Sequence, residues 1–398
     1  MREADRGTRH GRRGLAPALL PALLLAACAS APSSPPSAPG PTRSAAAAAP
    51  VPADLRETVG DDGIRTETGT LDGAPYRIEV PRDWNGELVV FAHGYETVGS
   101  GRQLPWPRDE TAAAMLARGY ATAASGYSRQ GWAVAEAVPQ TEQVRERFVS
   151  GHGEPKRSWL IGHSMGGQIA LASAERYPHA YDGVLSLCGV NTPARAFFTE
   201  GVLAPLAAFD AWFPGVLPQA PGGLADPALP EKPDGDAIEA ALAANEAKAT
   251  LLAEGFEIPR DGLAGALWLQ YVALRELAQR AGGFPVDNRG YRYRGLGDDA
   301  ALDRAVRRYA ADPRAAAYVD ANARLTGDVR VPLVLRWNRV DPIVPPRFGA
   351  RYLELARAAG AAQRVSTLAP VGEGHCKFDQ AQAQAAFDVL RERAGGAH

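Results

Sequence analysis

Short strand-like runs alternate with helix-like segments over most of this 398-residue chain. The run at 87–92 is almost continuously apolar, as a strand buried on both faces should be. Further strand-like runs lie at 76–80, 120–125, 158–162, 183–187, 331–337 and 364–368. A repeated strand, helix, strand order predicts an α/β fold with a doubly wound, mostly parallel sheet and helices on both faces.

The alternation is interrupted between residues 191 and 328. Clustered aromatic residues and a Pro- and Gly-rich stretch come first, and helical runs follow at 237–254 and 263–281. An insertion of this size in a doubly wound sheet is most simply a separate helical unit. We therefore expect a core domain made of residues 54–190 and 329–398, with a helical cap or lid at 191–328.

The overall composition excludes several classes of protein. Hydrophobic residues make up 46% of the chain and charged residues 22%, which excludes a fully disordered or fibrous chain. Lys and Arg total 43 against 45 Asp and Glu, so we expect no nucleic-acid binding through a positive whole-surface field. No apolar run is long enough for a permanent membrane span, which argues against a polytopic membrane protein.

The N-terminus has the features of an export signal. Several arginines precede an uncharged stretch at 15–27, which predicts a signal peptide over residues 1–27. The stretch ends Leu25-Ala26-Ala27-Cys28, which resembles the lipobox of bacterial lipoproteins. That resemblance implies that Cys28 is acylated and becomes the first mature residue. A plain secretory peptide cut near Ala29 is the alternative, and the Sec and twin-arginine export routes both remain open.

Residues 28–53 consist almost entirely of Ala, Pro, Ser and Gly. Such a composition cannot bury enough apolar surface to fold, so we expect a disordered linker. The chain would then be exported and held in the bacterial cell envelope by its lipid anchor alone, on the periplasmic or outer surface.

Two cysteines remain once Cys28 is assigned to lipid. Cys188 and Cys376 are an even pair in a chain that we expect to enter an oxidising compartment. A disulfide between them and two buried free thiols are both compatible with the sequence. Neither cysteine has a second cysteine or histidine at metal-ligand spacing, so we expect no metal site.

One short motif has the spacing of a nucleophile. Gly162-His163-Ser164-Met165-Gly166 has the form G-x-S-x-G and lies between a predicted strand and a predicted helix. The small flanking residues permit a strained turn, and the helix N-terminus can stabilise a developing oxyanion. Ser164 is therefore the candidate nucleophile, and a tight turn without catalysis is the alternative.

A serine hydroxyl needs a neighbouring imidazole as base. His375 is the candidate, because it lies in a glycine-rich loop after the last predicted strand. His163 flanks the serine and cannot readily turn back to it. His152 precedes a Gly-Glu-Pro turn, so we expect it on a loop surface.

The carboxylate that orients the base should follow the preceding strand. Asp341 lies just beyond the predicted strand at 331–337, on the edge where catalytic groups of open α/β sheets collect. Asp379 is a weaker candidate, since it opens a helix and is better explained by the positive end of that helix.

With these residues the chain resembles the α/β-hydrolase superfamily, specifically its serine hydrolases of esterase, lipase and peptidase type. The order Ser164, Asp341, His375 matches the order of that family's catalytic residues. The resemblance implies the α/β-hydrolase fold, with the helical cap inserted between strands 6 and 7 in the family's numbering. There is no HGGG run, so similarity to the hormone-sensitive-lipase branch is unsupported.

The same resemblance extends to the oxyanion loop. His93-Gly94-Tyr95 follows the strand-like run at 87–92 and resembles that loop. It implies that the backbone N–H groups of Tyr95 and Met165 hold the tetrahedral oxyanion. A buried turn at His93-Gly94 is the alternative.

The implied activity is two-step acyl transfer without a cofactor. We expect a carboxylic-ester hydrolase, of the EC 3.1.1 type, that acts on a small-molecule or lipid-like ester. The alternatives are a serine peptidase of prolyl-oligopeptidase-like catalytic type and a non-catalytic, hydrolase-like surface lipoprotein that binds a ligand. The cap aromatics, with Trp106 and Trp132, either line an apolar acyl or alcohol pocket or form the cap's own core.

Overall fold

The computed structural model describes residues 52–104 and 106–395. The predicted signal peptide at 1–27, the predicted lipidation site at Cys28 and most of the predicted linker at 28–53 lie outside the described residues. No helix in the described ranges has the length and apolar character needed to cross a membrane.

One nine-stranded sheet organises the described chain. Its strands are β1 (Arg56–Val59), β2 (Arg65–Leu71), β3 (Ala74–Val80), β4 (Glu87–Ala92), β5 (Ala121–Ser125), β6 (Arg157–His163), β7 (Gly183–Leu187), β8 (Leu333–Arg336) and β9 (Val365–Thr367). The spatial order is β1-β2-β3-β5-β4-β6-β7-β8-β9. β2 pairs antiparallel with β1 and with β3, and β3 pairs antiparallel with β5. The remaining pairs, from β5 through β4 to β9 in this spatial order, are all parallel. The prediction of a mostly parallel sheet is confirmed.

Twelve α-helices lie in the described ranges. They are α1 (Glu110–Ala117), α2 (Val134–His152), α3 (Met165–Arg176), α4 (Ala194–Phe197), α5 (Ala204–Trp212), α6 (Gly235–Ala244), α7 (Glu246–Phe256), α8 (Leu263–Ala281), α9 (Asp299–Ala305), α10 (Pro313–Ala323), α11 (Arg351–Ala358) and α12 (Gln380–Gly395). A π-helix at Phe198–Leu203 joins α4 to α5.

Side-chain alternation along β4 explains why helices cover both faces of the sheet. Val89 and Phe91 point to the face covered by α1 and α12. Leu88 and Val90 point to the opposite face, where they join the buried side chains of α2 and α3. A strand buried on both faces therefore needs an almost continuous apolar sequence, as β4 has.

The chain between β7 and β8 forms α4 to α10 and the π-helix, and we call residues 188–332 the helical insertion. Its buried side chains are continuous with the hydrophobic core on one face of the sheet. The predicted helix at 237–254 is two helices, because Asn245 ends α6 and its side chain caps α7 by accepting from the N–H of Lys248 at 3.2 Å.

Candidate active site

Ser164 lies between the end of β6 and the start of α3, in a strained backbone conformation. Its φ of 56° and ψ of −123° place it in a region that residues with a side chain rarely adopt. Such outliers persist only where the surrounding structure holds them, and they are common at active sites. The turn therefore presents the serine at the N-terminus of α3.

The glycines of the motif are required by close backbone approach. A Cβ on Gly162 would overlap the carbonyl of Gly166, and a Cβ on Gly166 would overlap the carbonyl of Ala92 at the end of β4. Gly94 also borders the serine, since an added Cβ there would lie 3.2 Å from the Cβ of Ser164. The G-x-S-x-G pattern thus follows from the space available around the turn.

The three candidate catalytic side chains meet at the carboxyl edge of the sheet. His375 Nε2 lies 2.8 Å from Ser164 Oγ. His375 Nδ1 lies 3.0 and 2.9 Å from the two carboxylate oxygens of Asp341. A carboxylate only accepts hydrogen bonds, so we assign the ring proton to Nδ1, which leaves Nε2 free to accept the proton of Ser164.

Asp341 is held by backbone donors as well as by the imidazole. It is 1% exposed, and its Oδ1 accepts from the N–H groups of Ile343 at 2.8 Å and Val344 at 3.0 Å. These two N–H groups fix the orientation of the carboxylate. The residue can therefore orient the imidazole and stabilise a positive charge on it.

The loop that carries His375 is tied to the chain around Asp341. The buried Asn338 donates from Nδ2 to the carbonyls of Val371 and Lys377, each at 2.9 Å, so it joins the two sides of the loop. The N–H of Gly374 donates to the carbonyl of Val340 at 2.8 Å. These bonds fix the position of the imidazole relative to its carboxylate. Asn338 is not among the site residues predicted from the sequence, although a polar residue just after a buried strand is a signal for such a role.

A disulfide ties the same loop to the end of β7. Cys376 follows His375 directly and is bonded to Cys188, the residue after β7, with 5.2 Å between the two Cα atoms. The sequence is compatible with either a disulfide or two free thiols, and the structure contains the disulfide.

The residues that the sequence suggested for the oxyanion site lie beside the serine. Met165 is the first residue of α3, so its N–H belongs to the first turn, where N–H groups have no intrahelical partner. Tyr95 lines the same pocket as Ser164. Both are therefore near the position where an oxyanion would form.

A narrow apolar pocket of about 50 Å³ opens at Ser164. Its lining comes from the loop after β4, the loop after β5, the turn at Ser164, the helical insertion and the segment after Asp341. The residues are Tyr95, Trp132, Ser164, Val190, Phe197, Phe198, Val202, Ala266, Leu269, Gln270, Ala273, Ile343 and Val344. The volume is about a third of the ~150 Å³ cavity known to admit benzene. The pocket is suited to a small group.

The aromatic residues singled out in the sequence are divided between two roles. Trp132, Phe197 and Phe198 line the pocket. Phe209 and Phe213 instead stack on each other within the insertion, with ring centroids 4.9 Å apart. Trp106, also suggested as a pocket residue, lies against the ring of His93, with centroids 4.6 Å apart.

Two half-buried histidines, His93 and His163, precede Gly94 and Ser164 at the site. Burial lowers the pKa of His93 to about 4, and the ring stacks on Tyr127 with centroids 4.0 Å apart. Burial also lowers the pKa of His163, against an opposing effect of Asp109. The expected surface position of His152 is wrong, because it is the last residue of α2 and packs on Phe148.

The weaker acid candidate has another role. Asp379 accepts from the N–H of Gln382 at 2.7 Å at the start of α12. Within residues 52–104 and 106–395, no three His, Cys, Asp or Glu side chains are grouped as a metal site.

Comparison with known families gives two matches. A family described as alpha/beta hydrolase fold matches residues 141–381. A tannase-like family of unknown function matches residues 41–201.

One curated relative is an o-phthalyl amidase from Xanthobacter agilis. It is 31% identical over 131 residues, which cover 32% of this chain and 27% of the relative. The chain therefore spans about a quarter of the length of this relative.

Solved structures of low identity are also similar. EstE5, in a crystal soaked with p-nitrophenyl butyrate, is 13% identical with a TM-score of 0.43, over 85% of this chain and 87% of EstE5. An esterase from Aspergillus oryzae is 12% identical with a TM-score of 0.42, over 82% of this chain and 80% of the esterase.

Proposed function

Because this chain belongs to the α/β-hydrolase fold family, we propose that it is a serine hydrolase that cleaves carboxylic esters through Ser164, His375 and Asp341. The family match covers residues 141–381, more than half of the chain. The observation that carries the proposal is the 2.8 Å distance from His375 Nε2 to Ser164 Oγ, with Asp341 on the other ring nitrogen.

In the first half of the reaction, Ser164 Oγ attacks the ester carbonyl carbon while His375 Nε2 takes the hydroxyl proton. The N–H groups of Tyr95 and Met165 then donate to the tetrahedral oxyanion, and losing one such donor would cost about 3 kcal/mol in the transition state. The imidazolium, stabilised by Asp341, gives its proton to the departing alkoxide. An acyl group remains bonded to Ser164.

In the second half, His375 Nε2 takes a proton from water, and the resulting hydroxide attacks the acyl carbon. The same proton returns to Ser164 Oγ as the bond to the acyl group breaks. A carboxylic acid leaves, and the enzyme is restored. The chemistry needs only groups of this chain and water.

The pocket supports a short acyl group as the substrate. The acyl group stays on Ser164 through both halves of the reaction, so an adjoining cavity has to hold it. A pocket of about 50 Å³ with an apolar lining fits a chain of a few carbons or a small branched group.

Amide substrates are a second candidate, supported by the similarity to a protein named o-phthalyl amidase. The same imidazolium would protonate a departing amine instead of an alkoxide. A p-nitroanilide and a p-nitrophenyl ester of one acyl group separate the two activities. We expect the ester to react faster by several orders of magnitude because its leaving group is better.

The test of the proposed function is hydrolysis of p-nitrophenyl esters of increasing chain length. We expect activity on acetyl and butyryl esters that falls steeply for longer chains. Ser164→Ala and His375→Gln should each lower kcat by about 10³-fold or more, since these residues act as a unit. Cleavage of proline peptides without ester hydrolysis would favour the peptidase alternative. Specific ligand binding without turnover would favour the non-catalytic one.

We further propose that the protein is exported and anchored through lipid on Cys28. The support is the order of residues before Cys28 and the two remaining cysteines, which suit an oxidising compartment. Metabolic labelling with a palmitate analogue in a bacterial host should give a labelled, membrane-bound protein that Cys28→Ser abolishes. A secreted, unlabelled wild-type protein would contradict the anchor and leave the catalytic proposal intact.

A further inference from the structure

A largely buried carboxylate joins the helical insertion to the loop between β5 and α2. Glu276 lies on α8, and its side chain is 12% exposed. One of its oxygens accepts from the backbone N–H of Trp132 at 2.8 Å. The other accepts from Nε of Arg280, one turn further along α8, also at 2.8 Å. Because the pair is largely buried, solvent screens it little.

Arg280 extends this contact to both ends of the loop. Its side chain is only 6% exposed. Its Nη1 donates to Glu136, in the first turn of α2, at 2.7 Å, and its Nη2 donates to the carbonyl of Gln130 at 2.6 Å. Glu276 and Arg280 therefore bind the chain before, at and after Trp132, through hydrogen bonds that a charge strengthens.

Gly131 shows how closely this carboxylate approaches the loop. Its φ of 84° lies in the left-handed region that favours glycine. A Cβ added at Gly131 would lie 2.3 Å from the carboxyl carbon of Glu276. The backbone of the loop is thus in direct contact with the carboxylate, and the position of one determines the position of the other.

The loop that this ion pair holds contributes to two parts of the candidate site. The indole of Trp132 lines the apolar pocket at the nucleophile, where it packs edge-on against Phe198 with ring centroids 4.8 Å apart. The N–H of Gly131 donates to the carbonyl of Glu96 at 2.8 Å. Glu96 directly follows Tyr95, whose N–H is a proposed donor to the oxyanion. The loop therefore forms one wall of the pocket and holds one end of the oxyanion loop.

We propose that Glu276 and Arg280 are positioning residues for ester hydrolysis. They hold the Trp132 indole as the wall that limits the length of the acyl group, and through Gly131 they hold the oxyanion loop. This inference rests on the proposed function and identifies what sets its acyl specificity. In the part of the chain that the structure describes, neither residue lines the pocket, so both act through the loop. A small displacement of groups that orient a substrate can lower turnover strongly.

The test measures kcat and KM on p-nitrophenyl acetate, butyrate and hexanoate. Glu276→Met keeps the side-chain length but removes the acceptor for the Trp132 N–H. We expect the ratio of kcat/KM for hexanoate to that for butyrate to rise about fivefold, because a released indole admits a longer chain. We also expect kcat on acetate to fall about tenfold, because the oxyanion loop is less well held. Arg280→Met should change both quantities in the same direction, so the test does not depend on one variant folding.

Two control variants separate positioning from stability. Glu276→Gln keeps an oxygen that can accept from the Trp132 N–H, so its ratio should stay within about twofold of the wild type. Glu246→Met breaks another ion pair of the helical insertion, between Glu246 and Arg260 at 2.8 Å, and should keep the wild-type ratio. A loss of stability alone lowers the activity on every ester equally and leaves the ratio unchanged.

The outcomes separate this inference from the proposed function. A ratio unchanged in both Glu276→Met and Arg280→Met would overturn the inference, and so would an equal rise in either control variant. The proposed ester hydrolysis would stand in those cases, provided that Ser164→Ala is inactive on the same esters. Equal activity of the wild type and Ser164→Ala would remove the proposed function, and the inference with it.

Discussion

Cys188 and Cys376 are joined by a disulfide that ends one residue from the imidazole of His375. The bond connects the end of β7 to the loop after β9, across a sequence separation of 188 residues. Its sulfur on Cys376 lies 3.6 Å from His375 Nε2. The disulfide is therefore in a position to hold both the fold and the catalytic loop.

Reduction should lower both stability and turnover. Replacing both cysteines by alanine removes a cross-link over a long loop, which should cost about 2–4 kcal/mol of unfolding free energy. We also expect kcat to fall about tenfold with little change in KM, because His375 becomes less well aligned while the pocket remains. Steady-state kinetics well below the melting temperature of the variant separates the two effects. Wild-type kcat in a folded, fully reduced enzyme would contradict the positioning role.

Gly166 should not tolerate a side chain. Alanine at this position would place its Cβ on the carbonyl oxygen of Ala92, so we expect destabilisation of about 3 kcal/mol or more and loss of activity. The matched control is Gly265→Ala in α8. An added Cβ there would have no atom within 4 Å other than those of its chain neighbours and its own helix backbone. That change should stabilise the protein by about 0.5–1 kcal/mol. Chemical denaturation measures both, and equal effects would contradict the proposed close packing.

A buried ion pair joins the antiparallel edge of the sheet to α2. Arg147 donates to both carboxylate oxygens of Glu67, at 2.8 and 3.1 Å, and Tyr76 Oη donates to the same carboxylate at 2.7 Å. Arg147→Met should cost about 3–5 kcal/mol, because it leaves a buried carboxylate without its counterion. Arg289→Met removes the pair between an exposed guanidinium and Asp287, and it should leave stability nearly unchanged because solvent screens such a pair. Similar losses in the two variants would show that burial of the pair is unimportant.

Acid should destabilise the protein partly through His93. Its pKa is about 4 in the folded protein and near the ordinary value of 6.5 when unfolded. Between these two pH values the unfolded state binds more protons than the folded state. The contribution of His93 to the free energy of unfolding is therefore fully present above pH 6.5 and is lost as the pH falls towards 4. His93→Phe keeps an aromatic ring against Tyr127 and removes the titration. The free energy of unfolding should therefore fall less between pH 6.5 and 4 in this variant than in the wild type, by about 1–3 kcal/mol.

The measurement is the free energy of unfolding as a function of pH, compared between the wild type and His93→Phe. His163 keeps its own lowered pKa in the variant, so part of the slope should remain. An unchanged slope in His93→Phe would contradict the buried, neutral state of His93.

The parts of the fold that the sequence predicted are those specified by local pattern. β4, β6 and β7 are apolar because both their faces are buried, and the G-x-S-x-G turn is recognisable because only glycine fits beside Ser164. The strands β1 and β2 were missed. Their Thr, Glu and Arg residues look polar, and the partner that compensates the buried Glu67 is Arg147, 80 residues away.

The missed residues of the candidate site also depend on contacts that are distant in the sequence. Gln270 resembles a solvent-facing residue of an amphipathic helix, and only the packing of α8 over Ser164 shows that it lines a pocket. Asn338 acts on carbonyls of residues 371 and 377, which no local pattern links to it. Spacing alone identifies candidate nucleophile, acid and base, but not the groups that support them.

The most direct test of the central claim is covalent labelling of the intact protein with a fluorophosphonate, followed by mass spectrometry of its peptides. We expect one adduct per chain, on the peptide that contains Ser164. It should be absent in Ser164→Ala and slowed by about 10²-fold or more in His375→Gln, because the serine then lacks its base. A folded wild-type protein that stays unlabelled, or that is labelled on another residue, would contradict the assignment of Ser164, His375 and Asp341.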